Sequence, residues 1–263
     1  MGKGLVSGRT ASVVSIALAA LFFAGTPRVH AQRGAAPAGP PPTAQASASI
    51  DITGYWESII TEDWRWRMMT PPKGDYESVT LNAEARKVAD AWDPARDEAA
   101  GMQCKAYGAA AVMRVPGRIH ITWEDANTLK IDTEAGTQTR LLHFNASQPP
   151  AGEPTWQWYS AAQWQVPGTN TGARGRGRVG TTLRVVTTHM RPGYLRKNGV
   201  PYSANAVVTE YFNRLSESNG DEWLLVANFV EDQQYLTQPF ATSSHFKKLP
   251  DGSKWKPEPC TAR

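Results

Sequence analysis

Residues 118–144, RIHITWEDANTLKIDTEAGTQTRLLHF, decide the fold class. Ile119, Ile121 and Trp123 fall on one side of an extended chain, and Arg118, His120 and Thr122 on the other. This period of two is the pattern of a half-buried strand. A turn at Glu124-Asp125-Ala126-Asn127 leads to a second run, Thr128 to Thr133. A turn at Glu134-Ala135-Gly136 leads to a third, Thr137 to Phe144. Three such runs separated by short turns predict an antiparallel meander.

Working outward, the same reading gives a strand at 54–60 (GYWESII) and further strands at 181–190, 205–214, 222–230 and 240–247. Between the second and third of these later strands, Asn219-Gly220 in the turn 217–221 is a hairpin signal. One helix is predicted, over 82–92 (NAEARKVADAW): Asn82 can cap it, Glu84 suits its first turn and Pro94 stops it. Residues 146–180 are rich in Pro, Gly and Trp and read as loop. They include Gly172 to Gly180 (GARGRGRVG), which reads as an exposed flexible segment or an arginine-glycine tract. It is not a phosphate loop, because no Gly-Lys-Ser/Thr follows. About eight strands in sequential hairpins predict a mainly all-β fold, an antiparallel up-and-down barrel with one short helix and long loops. Closure would remove exposed sheet edges.

The ends of the chain speak to compartment. Lys3 and Arg9 precede an apolar stretch, Val13 to Gly25, and Val29-His30-Ala31 is a small-x-small site, so residues 1–31 read as a cleaved signal peptide. The apolar stretch is shorter than the roughly 20 residues a membrane span needs. Residues 32–49, Ala- and Pro-rich, are expected to be a disordered leader. Residues 50–263 are expected to be a single barrel-like domain. Cleavage removes Lys3, Arg9 and Arg28, leaving 28 − 3 = 25 basic against 24 acidic residues. That near-neutral balance argues against a nucleic-acid partner. Outside the cytoplasm, the pair Cys104 and Cys260 is most simply a disulfide. A two-cysteine metal site would ordinarily show closer spacing. The expected location is therefore periplasmic or secreted.

Gly54-Tyr55-Trp56, ahead of a strand meander, resembles the Gly-x-Trp start of lipocalins and other calycin-type barrels. The resemblance implies that the Trp packs across the closed bottom of the barrel. It also implies a basic partner near the last strand, here Lys247 or Lys248. Residues 61–75, 191–203 and 230–240 are similar to segments of uncharacterised secreted bacterial proteins, a likeness that runs from about residue 51 and implies no activity.

Ten Trp residues make the aromatic load the leading functional signal. Trp offers flat apolar faces and one donor. Trp64, Trp66 and Trp158 are candidates to line a pocket, with Arg67 or Arg65 reading an acidic or carbonyl group. His143, Arg191, Tyr194 and Tyr202 are further ligand-binding candidates, the last three on a loop that could rim a cavity. These residues point to a binder of a small hydrophobic or aromatic molecule in a Trp-lined cavity. The alternative is a cofactor-independent isomerase, lyase or hydrolase. For it, Glu210 shares a strand face with Ala206, Val208 and Phe212, and His189 is its candidate acid–base partner. The competing reading of Glu210 is a structural ion pair with an Arg. His120, His143, His189 and His245 show no paired spacing that would suggest a metal or haem site. No cofactor is expected.

Overall fold

The computed structural model describes residues 41–144, 149, 151–165 and 182–263. The expected signal peptide and the Gly172–Gly180 tract lie outside the described residues. In chain order the strands are β1 (Gly54–Ile59), β2 (Arg118–Asp125), β3 (Thr128–Thr133), β4 (Ala135–Gly136), β5 (Thr139–His143), β6 (Tyr159–Gln165) and β7 (Thr182–Thr188). They continue with β8 (Gly193–Arg196), β9 (Val200–Tyr202), β10 (Val207–Ser216), β11 (Glu222–Glu231), β12 (Phe240–Lys248) and β13 (Glu258–Pro259). Nine of them close a barrel in the order β1-β12-β11-β10-β7-β6-β5-β3-β2.

The meander read from the sequence forms β2, β3 and β5, with Ile121 opposite Ile131 and Ile131 opposite Arg140. The Asn-Gly turn closes the β10–β11 hairpin: Glu217 N–H donates to the Asp221 carbonyl at 2.8 Å, and Gly220 takes φ +88°. Two points correct the sequence reading. First, Tyr159–Gln165 is a strand, although it lies in the stretch read as loop. Second, the barrel is not strictly up-and-down. In a closed ring the number of direction reversals must be even, so nine strands cannot all alternate. The exception is β5–β6, which is parallel, with Leu142 beside Ser160 and His143 beside Ala161.

Helix is also more plentiful than the single one expected. The crossing from β1 to β2 carries α1 (Trp64–Arg67), α2 (Ala83–Asp90) and α3 (Pro94–Ala99), then 3₁₀ turns at Gln103–Tyr107 and Val112–Arg114. The predicted helix is α2, and Asn82 caps it by accepting from Ala85 N–H. In α3, Asp93 accepts from Ala95 and Arg96 N–H, with Pro94 at the first turn. These caps are local signals, but both helices are too short to hold without tertiary packing.

Inward-facing residues build the core in layers. One apolar cluster contains Trp56, Ile121, Leu129, Leu142, Leu183, Phe212, Val226 and Phe246, with Met113 from the second 3₁₀ turn. Fully burying each such side chain contributes about 1.5–3 kcal/mol. A second cluster joins Val208, Val230 and Phe240 to Tyr76, Ala85, Ala89 and Leu195 from the added segments. Between them lies a polar layer. On β10, Glu210 separates Val208 from Phe212. On β11, Asn228 separates Val230 from Val226, and on β12 Ser244 sits between Phe240 and Phe246. Arg140, Ser160 and Thr187 supply buried polar groups from β5, β6 and β7.

The C-terminal residues and the first described residues are fastened to this body. Cys104 and Cys260 form a disulfide. Beside it, β13 pairs in parallel with β4. The expected leader does not remain free over its last residues. Ala44 is buried, its N–H donates to Asn127 Oδ1 at 2.9 Å, and its carbonyl accepts from Trp164 Nε1 at 2.9 Å. Gln45 N–H bonds the Ala126 carbonyl. The β2–β3 turn and β6 therefore hold residues 44–45, because a Trp indole and two backbone groups there find partners in each other.

Candidate functional site

The eight ligand-binding candidates do not share one cavity. Trp64 on α1 is 66% exposed. Trp66 is half-buried, donates from Nε1 to Asp75 at 3.2 Å and carries the Arg196 guanidinium 4.9 Å above its ring. Arg67 is buried, bonded to Glu62 and, through Nε at 2.9 Å, to the Arg114 carbonyl. Arg65 points to the surface and pairs with Asp75 at 2.8 Å. His143 stacks on Tyr159, ring centroids 5.2 Å apart, and Trp158 is half-buried. Arg191 lies over Trp156 at 4.7 Å.

Glu210 and His189 are not brought together. Both Glu210 carboxylate oxygens are held by Arg140, at 3.0 and 2.5 Å, and neither side chain is exposed. Thr187 Oγ1 touches the same guanidinium and shares a hydrogen bond of 2.7 Å with Ser160. His189 is exposed, takes a left-handed φ of +57° and shares a hydrogen bond with its neighbour Thr188. The geometry is that of a buried ion pair and not of an acid–base couple. The other histidines are likewise taken up separately: His120 stacks on Tyr55 at 3.9 Å, and His245 bonds Thr61 and Ser243. Burial holds the His120 and His143 imidazoles below their usual pKa. Among the described residues, no group of three His, Cys, Asp or Glu side chains is placed to hold a metal.

Two of the candidates do meet, in a cleft of about 430 Å³ between α2 and the β8–β9 hairpin. Its walls are Val88, Trp92, Tyr194, Tyr202, Tyr235 and the rings of Pro192 and Pro201, and Lys87, Arg96 and Lys105 bring positive charge to it. Local sequence explains the shape. Gly199, at φ +83° in the hairpin turn, lets the backbone lie against Trp92, where a Cβ would stand 2.3 Å from that residue's own Cβ. Gly108 does the same for Tyr202, whose hydroxyl would be 2.4 Å from an added Cβ. Asp97, buried in the first turn of α3, organises the polar side. Lys105 Nζ donates to it at 2.6 Å and Tyr194 OH at 2.8 Å, while Lys105 also reaches Tyr194 OH at 3.3 Å. Burial, followed by the Asp97 carboxylate, raises the Tyr194 pKa, so the phenol stays a donor. An ammonium has three donors and two are used in this triad.

Compared with known proteins, the chain matches no family model, no curated protein and no solved structure.

A second hollow, of about 350 Å³, opens at the end of the barrel where β1 begins, between Ile50, Ile52, Leu129, Trp123 and Trp164. Phe144 packs between the two indoles, 5.6 Å from Trp123 and 5.2 Å from Trp164. Trp123 falls on the core side of its strand, Trp164 belongs to the aromatic cluster in the stretch read as loop, and Trp92 and Tyr235 are not among the binding candidates the sequence offers. The signal for Trp92 was present: it sits at the end of the one predicted helix, one turn from Val88. Nothing in the linear sequence brings Tyr235 to it.

Proposed function

We propose that this protein binds a small aromatic or hydrophobic molecule carrying an acidic group, outside the cytoplasm, in the cleft around Trp92 and Tyr194. The observation that carries this reading is the cleft's composition: Trp92, Tyr194, Tyr202 and Tyr235 line it together with Lys87, Arg96 and Lys105, and no carboxylate is among its lining residues. A volume of about 430 Å³ falls in the range of small-molecule pockets, roughly 300–1,000 Å³. The ring of the ligand would lie among Trp92, Tyr194 and Tyr235. Its carboxylate would meet the remaining Lys105 donor and Arg96. The disulfide favours an oxidising compartment. The Gly-x-Trp start and the closed barrel agree with a calycin-type descent, although the ligand would sit beside the barrel and not inside it. Among the described residues, no helix is long and apolar enough to cross a membrane.

The test is a fluorescence titration of the mature protein with 2-naphthoate and with its uncharged methyl ester. Val88 is exposed on α2 at the edge of the cleft, so Val88→Trp fills the site without entering the core. Saturable quenching by the acid, weaker quenching by the ester and loss of both in Val88→Trp are expected. Equal binding by the variant would remove the assignment.

A further inference from the structure

Away from that cleft, α1, the turn Val112–Arg114 and the end of β8 border a small, partly open cavity of about 30 Å³. Three guanidinium groups line it: Arg67, Arg114 and Arg196. All three side chains are more than nine-tenths buried. Two carboxylates answer them, Glu62 on Arg67 and Asp63 on Arg114 at 3.0 Å. Arg196 has no carboxylate partner among the described residues: it donates to the Glu77 carbonyl at 2.7 Å and to Ser78 Oγ at 2.8 Å. Two aromatic faces pack on it, Trp66 at 4.9 Å and Phe240 at 5.7 Å, while Asp63, Asp75 and Glu77 act on it only from beyond ion-pair distance. One positive charge is thus left over in a desolvated place. Burial, followed by repulsion from Arg114, lowers the Arg196 pKa to about 10.

The donors repeat the imbalance. Arg67 Nη2, Arg114 Nη1 and Arg196 Nε are buried and make no hydrogen bond among the described residues. A buried charged donor left unmade costs more than a neutral one, and buried charges are ordinarily paired. Structural ion pairing alone would have supplied a third acid. A cavity of this size takes one or two water-sized groups. It is too small for an organic ring and takes two oxygens of one anionic group, whose remaining atoms would stay at its open side.

We propose that this cavity binds a single oxyanion, a carboxylate or phosphate-type group, held by the free edges of Arg67 and Arg114 and by the excess charge of Arg196. Planar guanidinium forks suit that class because each can give two parallel bonds to an oxyanion. The anion would also fasten α1 and β8 to the turn that plugs the barrel, so binding would stabilise the folded state by linkage.

The experiment is thermal and urea unfolding of the mature protein in potassium chloride, with acetate or inorganic phosphate substituted at constant ionic strength. At a concentration a hundred times the dissociation constant, the unfolding equilibrium should fall about 100-fold relative to chloride. Arg196→Gln should lose that increment while keeping the baseline response to salt. Should Arg196→Gln not fold, Arg67→Lys serves in its place, since it keeps the charge and loses the fork. A gain with acetate but not phosphate, or the reverse, names the oxyanion and supports the site. Equal stabilisation by chloride, or an increment that survives in the variant, would overturn it. Because Val88→Trp leaves this cavity untouched, the naphthoate titration and the oxyanion experiment can fail separately.

Discussion

Arg140 and Glu210 face each other across the inside of the barrel, two hydrogen bonds apart, with neither side chain exposed. They come from β5 and β10, strands that are not neighbours in the sheet. Two strands, β6 and β7, separate them, so the pair reaches across the lumen and ties non-adjacent parts of the wall together. A buried pair of this kind is costly to break and adds little net stability, because desolvation offsets the attraction. Arg140→Met should lower unfolding stability by about 3–5 kcal/mol by stranding the Glu210 carboxylate, and Glu210→Leu should act similarly. The double variant Arg140→Met/Glu210→Leu should recover most of the loss. Urea unfolding of the three proteins measures it. If the single variants cost no more than a surface substitution, the pair is not the keystone of the polar layer.

The disulfide spans a sequence separation of 156 residues. The loop-entropy account gives about 5 kcal/mol for such a closure, and about 2–4 is typical of measured bridges. Cys104→Ser/Cys260→Ser should lower the urea midpoint accordingly. It should also speed hydrogen exchange at Gly136, because β13 pairs there and the bridge keeps β13 in place. Unchanged exchange at Gly136 would mean that Lys256 N–H to Glu134 and Tyr107 OH to Thr261 hold the tail unaided.

How much of this could be read from the chain depends on how local the cause is. The period of two in Arg118–Trp123, the Asn219-Gly220 turn and the Asn82 cap are decided within a few residues, and each appears where the sequence puts it. The β6 strand was hidden because Tyr159–Gln165 is flanked by Pro, Gly and Trp, and its pairing with β5 is parallel and non-local. Helix α3 has a readable cap at Asp93, but only six residues follow it. The site was less legible still. Tyr194 and Tyr202 were named on the strength of a loop, and they do line the cleft. Trp92 and Tyr235, which complete it, are 143 positions apart, since 235 − 92 = 143, and no spacing rule connects them. Glu210 was recognisable as an acid on an apolar strand face, yet its partner Arg140 lies on a distant strand.

Acid should weaken the fold in a defined window. His120 and His143 are held below their usual pKa by burial, so the unfolded chain binds protons that the native state resists. A base with a depressed folded pKa contributes stability that is present above its unfolded pKa, about 6.5, and lost as pH falls through the folded value. Melting temperature should therefore decline between about pH 7 and pH 5, above the range where carboxylates titrate. His120→Phe/His143→Phe keeps the stacking on Tyr55 and Tyr159 and should flatten that slope. An unchanged slope would assign the acid sensitivity to other groups.

The joint between β1 and β12 offers the last test. Trp56 is wholly buried, donates from Nε1 to the Ile52 carbonyl at 2.9 Å and has Lys248 Nζ 5.5 Å from its ring. Lys248 also pairs with Glu222 at 3.0 Å, so its ammonium stays hydrated at one side while its stem covers the indole. The two residues belong to β1 and β12 and lie directly opposite in register, at the ends of the chain's barrel path. Trp56→Ala should cost about 3–5 kcal/mol, from lost burial and the cavity it leaves. Trp56→Phe should cost less, yet it leaves the Ile52 carbonyl without its donor, so the loss should exceed the small change in area. Lys248→Met keeps the stem and removes only the charge, and its effect should be the smallest of the three. Urea unfolding ranks them. That order would mean the Trp closes this joint by packing and the Lys only shields it. A Lys248→Met loss as large as that of Trp56→Ala would instead make the cation over the indole the main closure between first and last barrel strands.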